Sequence, residues 1–152
     1  MTARRIAIAS DHGGFACKQQ LAAWLDERGY EVEDLGTHSD ESVDYPDFAL
    51  PACERVVSGQ AECAILVCGT GIGMAIAANK VAGIRAANVT SEPFAALARQ
   101  HNDANVLTLS GRFVSLEENE RIVETFLATG FEAGRHERRI AKIARIEKEG
   151  RS

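Results

Sequence analysis

The sequence lacks the motifs that mark most metal, redox and membrane proteins. None of its four cysteines stands in a Cys-x-x-Cys pair, which disfavours zinc and dithiol-redox sites. It contains no His-Glu-x-x-His motif, and no stretch approaches the roughly 20 apolar residues of a membrane span. The first residues run directly into a strand-like segment without the apolar core of a signal peptide. We therefore expect a cytoplasmic location.

A basic run is also missing. The net charge of the 152 residues is -5, which disfavours nucleic-acid binding. The basic residues between Arg135 and Arg151 alternate with Glu137, Glu147 and Glu149, a pattern that usually marks a solvated helix face. With 45% hydrophobic residues the chain can bury a substantial core, and its length predicts a single domain over 1–152.

What the sequence does have is a regular alternation of strand-like and helix-like segments. Strands are predicted at 4–10, 31–35, 63–67, 84–89 and 106–109, and helices at 15–28, 46–58, 73–80, 92–100 and 116–129. Such an order predicts an α/β fold: a Rossmann-like three-layer sandwich with a five-stranded parallel sheet and helices on both faces.

A further charged helix is predicted after Gly134, running to about Glu149. It carries an apolar stripe of Ile140, Ile143 and Ala144, yet the predicted sheet is already covered by helices. We expect this stripe to dock on a neighbouring subunit, because an exposed apolar stripe is unfavourable. The segment 130–152 is therefore predicted to mediate dimerisation, although packing on its own domain is an alternative.

The most informative segment is the run from Cys68 to Gly73. Gly69, Gly71 and Gly73 alternate between the strand at 63–67 and the following helix. Such glycines let several backbone N–H groups converge on one point in front of a helix N-terminus, which suits an anion. The same environment favours the thiolate form of a neighbouring cysteine. The alternative is a tight turn with a buried structural cysteine.

Three better-known phosphate motifs do not fit this loop. A cysteine phosphatase would need an arginine six positions after Cys68, where Met74 stands. A dinucleotide site would need Gly-x-Gly-x-x-Gly after the first strand, where the sequence has Asp11-His12-Gly13-Gly14. No Lys-Ser/Thr pair of the Walker type follows Gly73. Phosphatase, dehydrogenase and nucleotide-hydrolase functions are thereby disfavoured.

Other polar residues stand beside predicted strands. The segments 11–14, 68–73 and 110–112 each follow a strand, and ligands of parallel sheets bind at the carboxyl ends of strands. His101 and Asn102 follow the fourth predicted helix, and imidazole suits proton transfer near neutral pH. Thiol, imidazole, carboxylate, amide and arginine groups together favour proton transfer on a small anionic substrate.

Several segments together resemble one family over nearly the full length. The resemblance rests on the segments 10–15, 44–46, 68–73, 77–80, 83–86, 99–107, 111–112 and 134–136, with sequences SDHGGF, DYP, CGTGIG, AANK, GIRA, RQHNDANVL, GR and GRH. The chain is similar to type B ribose-5-phosphate isomerases, within the wider group of ribose-, galactose- and allose-phosphate isomerases. This resemblance implies an aldose–ketose isomerase that interconverts ribose 5-phosphate and ribulose 5-phosphate.

The resemblance also implies catalytic roles. Cys68 would be the base that moves a proton between C2 and C1 through an enediolate, Thr70 would assist at the oxygens, and His101 would open the furanose ring. The enediolate oxygen would be held by Asn102 and by backbone N–H groups of the glycine loop. Those N–H groups belong to Gly69, Gly71, Ile72 and Gly73.

Binding roles and assembly follow from the same resemblance. Asp11 would contact sugar hydroxyls, and His12, Arg112, Arg135 and Arg139 would surround the phosphate. The site would lie between two subunits of a homodimer or tetramer, so that Arg135 and Arg139 could serve the partner's site. No metal or other cofactor is expected.

Two alternatives remain open at this level. The substrate could be another sugar phosphate, such as erythrulose 4-phosphate, allose 6-phosphate or galactose 6-phosphate, because the loop at 37–43 does not reveal the sugar length. The chain could also be a non-catalytic sugar-phosphate-binding subunit, although the presence of Cys68 and His101 argues against it.

Overall fold

A five-stranded parallel sheet forms the centre of the molecule. The computed structural model describes residues 3–150. The strands are β1 (Arg5–Ser10), β2 (Glu31–Asp34), β3 (Cys63–Cys68), β4 (Ala86–Asn88) and β5 (Val106–Ser110), and their spatial order is β2-β1-β3-β5-β4. The helices are α1 (Phe15–Glu27), α2 (Pro46–Val57), α3 (Ile72–Ala78), α4 (Glu92–Asn102), α5 (Leu116–Ala128) and α6 (Arg135–Lys148). The predicted α/β architecture is confirmed.

The two faces of the sheet are packed differently. One face presents large side chains such as Ile8, Ile65 and Leu107 to α1, α4 and α5. The other presents small residues such as Ala7 and Ala64 to α2 and α3. Every residue of β3 is buried. Since side chains alternate along a strand, both faces of β3 are covered over its whole length. This central strand is thus a rigid support for the loop that follows it.

Several element boundaries differ from the prediction. Helix α4 continues to Asn102 and ends at Asp103, which adopts a left-handed conformation with φ of 46°, so His101 lies inside its last turn. Strand β3 includes Cys68. Strand β4 is shorter than predicted, since the N–H of Arg85 donates to the Asn105 side chain at 2.8 Å rather than to a neighbouring strand. The ends of the predicted domain, residues 1–2 and 151–152, lie outside the described residues.

The connection order places a crevice at one edge of the sheet. From β1 the chain moves outward to β2 and then crosses back to β3 on the other side of β1. Loops after β1 and β3 therefore diverge to opposite faces, and ligands bind at such a switch point. Ser10 pairs with Val67, and Cys68 pairs with Ser110, so three loops begin side by side there. We call this the carboxyl edge, and the opposite end of the strands the amino edge.

Helix α6 contacts its own chain at both ends. Near its start, the imidazole of His136 stacks on that of His101. Near its end, the carboxylate of Glu147 accepts hydrogen bonds of 3.0 and 3.1 Å from the Gly83 N–H. Ile143 and Ile146 nevertheless remain about half exposed. Among residues 3–150, no helix is long and apolar enough to span a membrane.

Candidate active site

The thiol of Cys68 lies at the carboxyl edge, at the last position of the buried strand β3. Its Sγ atom accepts a hydrogen bond of 3.1 Å from the N–H of Gly71. Its backbone carbonyl accepts the N–H of Gly111 at 2.8 Å, so β5 fixes the strand end. The predicted loop therefore does aim a backbone donor at the sulfur, an arrangement that stabilises negative charge.

Glycine is required where the chain turns into α3. Gly71 has a φ of 82°, and a Cβ there would lie 2.2 Å from the Oδ1 of Asn88. A Cβ on Gly73 would lie 2.7 Å from the ring of Tyr45. Thr70 is exposed, and its Oγ1 accepts the N–H of Ile72 at 3.1 Å, which leaves its O–H free to donate. Alternating glycines thus allow neighbouring side chains to reach the loop backbone.

The loop after β1 meets the glycine loop. Asp11 is buried, its N–H donates to the Val67 carbonyl at 3.2 Å, and its Oδ1 accepts the Gly14 N–H at 3.1 Å. The Nδ1 of His12 accepts the Val43 N–H at 3.2 Å. A neutral imidazole that accepts at Nδ1 carries its proton on Nε2. His12 can therefore donate a hydrogen bond from Nε2 toward a ligand.

Arg112 completes this half of the site. Its guanidinium carbon lies 3.3 Å from where a Cβ of Gly13 would be, and its Nη1 lies 3.3 Å from the equivalent point at Gly69. The loop that carries Arg112 is fixed because the Ser110 hydroxyl donates to the Gly69 carbonyl at 2.7 Å. An exposed guanidinium between two glycine-rich loops is well placed for a phosphate.

Two histidines and a glutamate lie together at the amino edge. The rings of His101 and His136 stack at 4.3 Å between centroids. The Oε1 of Glu132 lies 3.9 Å from the Nε2 of His101 and 3.6 Å from that of His136. Loss of hydration, followed by the charge of His101 and then of Arg135, lowers the pKa of His136. The structure therefore groups His101 with residues of the last helix.

Asn102, Arg135 and Arg139 belong to the same edge and are exposed. The carbonyl of Asn102 accepts from the Arg85 Nε at 3.1 Å, next to the start of β5. Along β5 the first residue pairs with Ala64 and the last with Cys68. Four residues of strand span about 13 Å. One chain therefore does not bring His101 or Asn102 to the thiol, and the predicted set of site residues is divided between the two edges.

Sequence reasoning gave no role to a buried lysine beneath the carboxyl edge. Lys18 is fully buried, and its Nζ contacts both carboxylate oxygens of Asp34 at 2.6 and 2.8 Å. Asp34 also accepts the Gly36 N–H at 2.9 Å, and the Gly36 carbonyl accepts from the Ser10 N–H at 2.7 Å. This chain of contacts ends one residue before Asp11. A lysine inside the otherwise mainly apolar helix segment 15–25 was the available signal.

The other three cysteines differ from Cys68. Burial raises the pKa of the Cys17 thiol to about 11, that of Cys53 to about 11 and that of Cys63 to about 12. None of them adjoins the glycine loop, and Cys53 and Cys63 lie in the core. Thiols with such raised pKa values stay neutral and are suited to packing and not to proton transfer.

Comparison with known proteins identifies close relatives. A model of the family described as Ribose/Galactose Isomerase matches residues 6–143. The chain is 49% identical over 145 residues to ribose-5-phosphate isomerase B of Escherichia coli, covering 95% of this chain and 97% of the relative.

Solved structures agree with this comparison. Ribose-5-phosphate isomerase B of Clostridium thermocellum superposes with a TM-score of 0.95 at 52% identity, over 96% of this chain and 99% of the other. The Mycoplasma genitalium enzyme, solved with bound ribulose 5-phosphate, gives 0.93 at 50% identity, over 98% and 99%.

Proposed function

We propose that this chain, which belongs to the ribose/galactose isomerase family, interconverts ribose 5-phosphate and ribulose 5-phosphate with Cys68 as the base. The observation that carries the proposal is the Cys68 thiol at the end of β3, with the Gly71 N–H 3.1 Å from its sulfur. A thiolate held this way can remove a proton from a carbon next to a carbonyl and return it to the neighbouring carbon.

The reaction needs stabilisation of a developing oxyanion. Removing the C2 proton of the open-chain aldose gives a cis-enediolate, whose negative charge lies on oxygen. Backbone donors aimed at that oxygen contribute roughly 3–4 kcal/mol each, and the loop from Gly69 to Gly73 supplies such donors. The Thr70 hydroxyl, already accepting from the Ile72 N–H, is free to pass a proton to a sugar oxygen.

Substrate orientation is shared among side chains of the carboxyl edge. Arg112 and the Nε2 of His12 hold the phosphate, since charge-assisted hydrogen bonds bind it strongly. Asp11 has one carboxylate oxygen bound to Gly14, and its second oxygen can accept a sugar hydroxyl. Anchoring the phosphate away from the reacting carbons orients C1 and C2 at the thiolate.

The remaining groups come from a second copy of the chain. His101, which opens the ring, and Asn102, Arg135 and Arg139, which bind the enediolate oxygen and the phosphate, lie at the amino edge. Because about 13 Å of strand separates the two edges, a carboxyl edge of one subunit meets the amino edge of its partner. The segment 130–152 mediates this contact in a homodimer or tetramer, and Ile143 and Ile146, half exposed here, are covered by it. The cytoplasmic location stays a prediction.

An assay of the purified protein on a panel of sugar phosphates tests the proposal. Ribose 5-phosphate should turn over fastest, compared with erythrulose 4-phosphate, allose 6-phosphate and galactose 6-phosphate. Cys68→Ala should abolish turnover and still bind substrate, whereas Cys53→Ala serves as the thiol control. Near-full activity of Cys68→Ala would exclude the thiol as base. A protein that binds sugar phosphates without turnover would instead be a non-catalytic subunit.

A further inference from the structure

The cluster at the amino edge has a composition that phosphate binding and ring opening do not require. His101, Glu132 and His136 each offer one possible ligand atom, and these three atoms lie within 4.8 Å of one another. Glu132 and His136 have no part in the proposed reaction. Two imidazoles and a carboxylate around one point are a ligand set found in zinc sites that keep an open position.

The backbone under these side chains is held by several hydrogen bonds. The Glu132 N–H donates to the Gln100 carbonyl at 3.1 Å, which ties the connecting segment to the last turn of α4. The His136 N–H donates to the Ala133 carbonyl at 3.1 Å, which shapes the first turn of α6. Three elements are thereby fixed around the cluster, so the backbone that carries the three ligands is held in place.

Small side-chain movements would complete the coordination. Zinc binds imidazole nitrogen and carboxylate oxygen at about 2.0–2.2 Å, which sets neighbouring ligand atoms of a tetrahedron about 3.3 Å apart. His136 is buried and fixed, with 7% of its side chain exposed, whereas 39% of His101 and 53% of Glu132 are exposed. The latter two can rotate toward His136 and bring their ligand atoms closer by up to about 1.5 Å, as the tetrahedral spacing requires.

Charge around the cluster sets the limits of its affinity. Glu132 contributes one negative charge. Arg135 and Arg139 lie in the first turns of α6 beside His136, and their positive charges repel a cation. Both arginines are exposed, so solvent screens much of that repulsion. We therefore expect reversible binding and not a permanent structural metal.

We propose that His101, Glu132 and His136 form a binding site for a divalent transition-metal ion, with zinc as the best match. Imidazole suits zinc, copper and nickel, and a single carboxylate is compatible with each of them. A second consequence rests on the proposed function. A metal ion at this site would inhibit the isomerase, because a metal-bound His101 cannot open the sugar ring.

Calorimetric titration of the full-length, untagged, chelator-treated protein with zinc chloride tests the site. One saturable zinc per chain is expected, and Glu132→Gln should weaken it by at least about 10- to 100-fold, the loss typical even of a metal site's outer partners. His136→Gln should do the same. His38→Gln, at an exposed loop position, and Cys68→Ala should leave zinc binding unchanged.

Imidazole NMR signals give a direct second readout. Zinc should shift the signals of His101 and His136 and leave those of His12 and His38 in place. Because Glu132 is exposed, Glu132→Gln is expected to stay folded, which circular dichroism can verify. Unchanged zinc binding in Glu132→Gln, or shifts confined to other histidines, would overturn the proposal.

Turnover separates this inference from the proposed function. Zinc should inhibit the wild-type isomerase, and a chelator should restore its activity. If zinc binds at this cluster and turnover is unaffected, the metal site stands and the role of His101 in ring opening is contradicted. If no zinc binds there, the metal site is wrong and the proposed isomerase activity is untouched.

Discussion

The two edges of the sheet are built on different principles. At the carboxyl edge, the N–H of Gly71 in the glycine-rich loop donates to the Cys68 sulfur, and close contacts leave no room for a Cβ at Gly14 or Gly71. At the amino edge, the side chains of His101 and Glu132 are partly exposed, and the ring of His101 stacks on the buried His136. The first depends on backbone positions that close packing fixes, and the second on side chains, of which those of His101 and Glu132 can move.

This difference indicates how the proposed site divides its work. Oxyanion stabilisation depends on donors that do not rearrange during reaction, which a buried strand end provides. Ring opening and part of the phosphate binding are assigned to side chains of the amino edge. A partner subunit can therefore supply the second group without disturbing the first.

The strongest test of the division is subunit complementation. Cys68→Ala protomers are mixed with protomers that carry Arg135→Ala and Arg139→Ala, each inactive or weakly active alone. If the edges act in trans, one of the two sites in each mixed dimer is intact. Random exchange into isologous dimers should then restore about a quarter of wild-type activity.

The control for this mixture is a direct measure of exchange, such as mass spectrometry of isotopically labelled protomers. Confirmed exchange without any gain in activity would place both edges in one chain's own site.

A second test separates ring opening from isomerisation. His101→Asn should lower kcat/KM for ribose 5-phosphate by about 10²-fold or more, the usual contribution of a positioned acid or base. The same variant should change turnover of a tetrose 4-phosphate little. Its C4 oxygen carries the phosphate, so this substrate has no free hydroxyl with which to close a furanose ring. Steady-state kinetics on both sugars provide the measurement, and equal losses would remove His101 from ring opening.

A third test asks whether both edges hold the same phosphate. Arg112→Ala and Arg139→Ala should each raise KM about tenfold, as expected for the loss of a charge-assisted hydrogen bond. In the double variant the losses should not add, since both groups contact one ligand. Arg138→Ala, at an exposed neighbouring position, is the matched control and should leave KM unchanged; strictly additive losses would indicate separate anions.

A fourth test compares thiols within the chain. At pH 8 a thiol whose pKa is about 11, as burial makes that of Cys17, is only about 0.1% thiolate. Iodoacetate should therefore modify Cys68 more than about tenfold faster than Cys17, although Cys17 is the more exposed. Peptide mapping by mass spectrometry checks the order, and substrate should protect Cys68. Faster modification of Cys17 would contradict thiolate formation at Cys68.

The smallest effect on activity is expected at Lys18. Lys18→Met removes the partner of Asp34 and should destabilise the fold by roughly 1–3 kcal/mol, the penalty for leaving a hydrogen-bonded polar group unpaired. Chemical denaturation measures this, with the exposed Lys142→Met as control. KM should rise a few-fold, because Asp34 supports the turn at Gly36 next to Asp11, whereas zinc binding at the amino edge should not change. An equal stability loss in Lys142→Met would contradict the assignment.

Sequence reasoning succeeded for the features that depend on backbone conformation. The alternation of strand-like and helix-like segments predicted the fold, and the alternating glycines after β3 predicted the loop around Cys68. Both features depend on local sequence pattern. It failed for Lys18, whose ion pair with Asp34 joins two elements 16 residues apart. The contacts of Asn88 and Tyr45 with the loop escaped notice for the same reason, although Tyr45 was part of the resemblance, since both reach the loop only through the folded chain.

The sequence by itself determined the α/β order, the glycine loop and the types of group available for proton transfer, since periodicity and glycine positions act over a few residues. Only the tertiary structure decided which of those groups lie close together. In a parallel sheet each strand ends at the carboxyl edge, and the following helix returns the chain to the amino edge. Cys68 at a strand end and His101 at a helix end therefore lie at opposite edges of the sheet. The separation of the two sets is a property of topology, and no local pattern contains it.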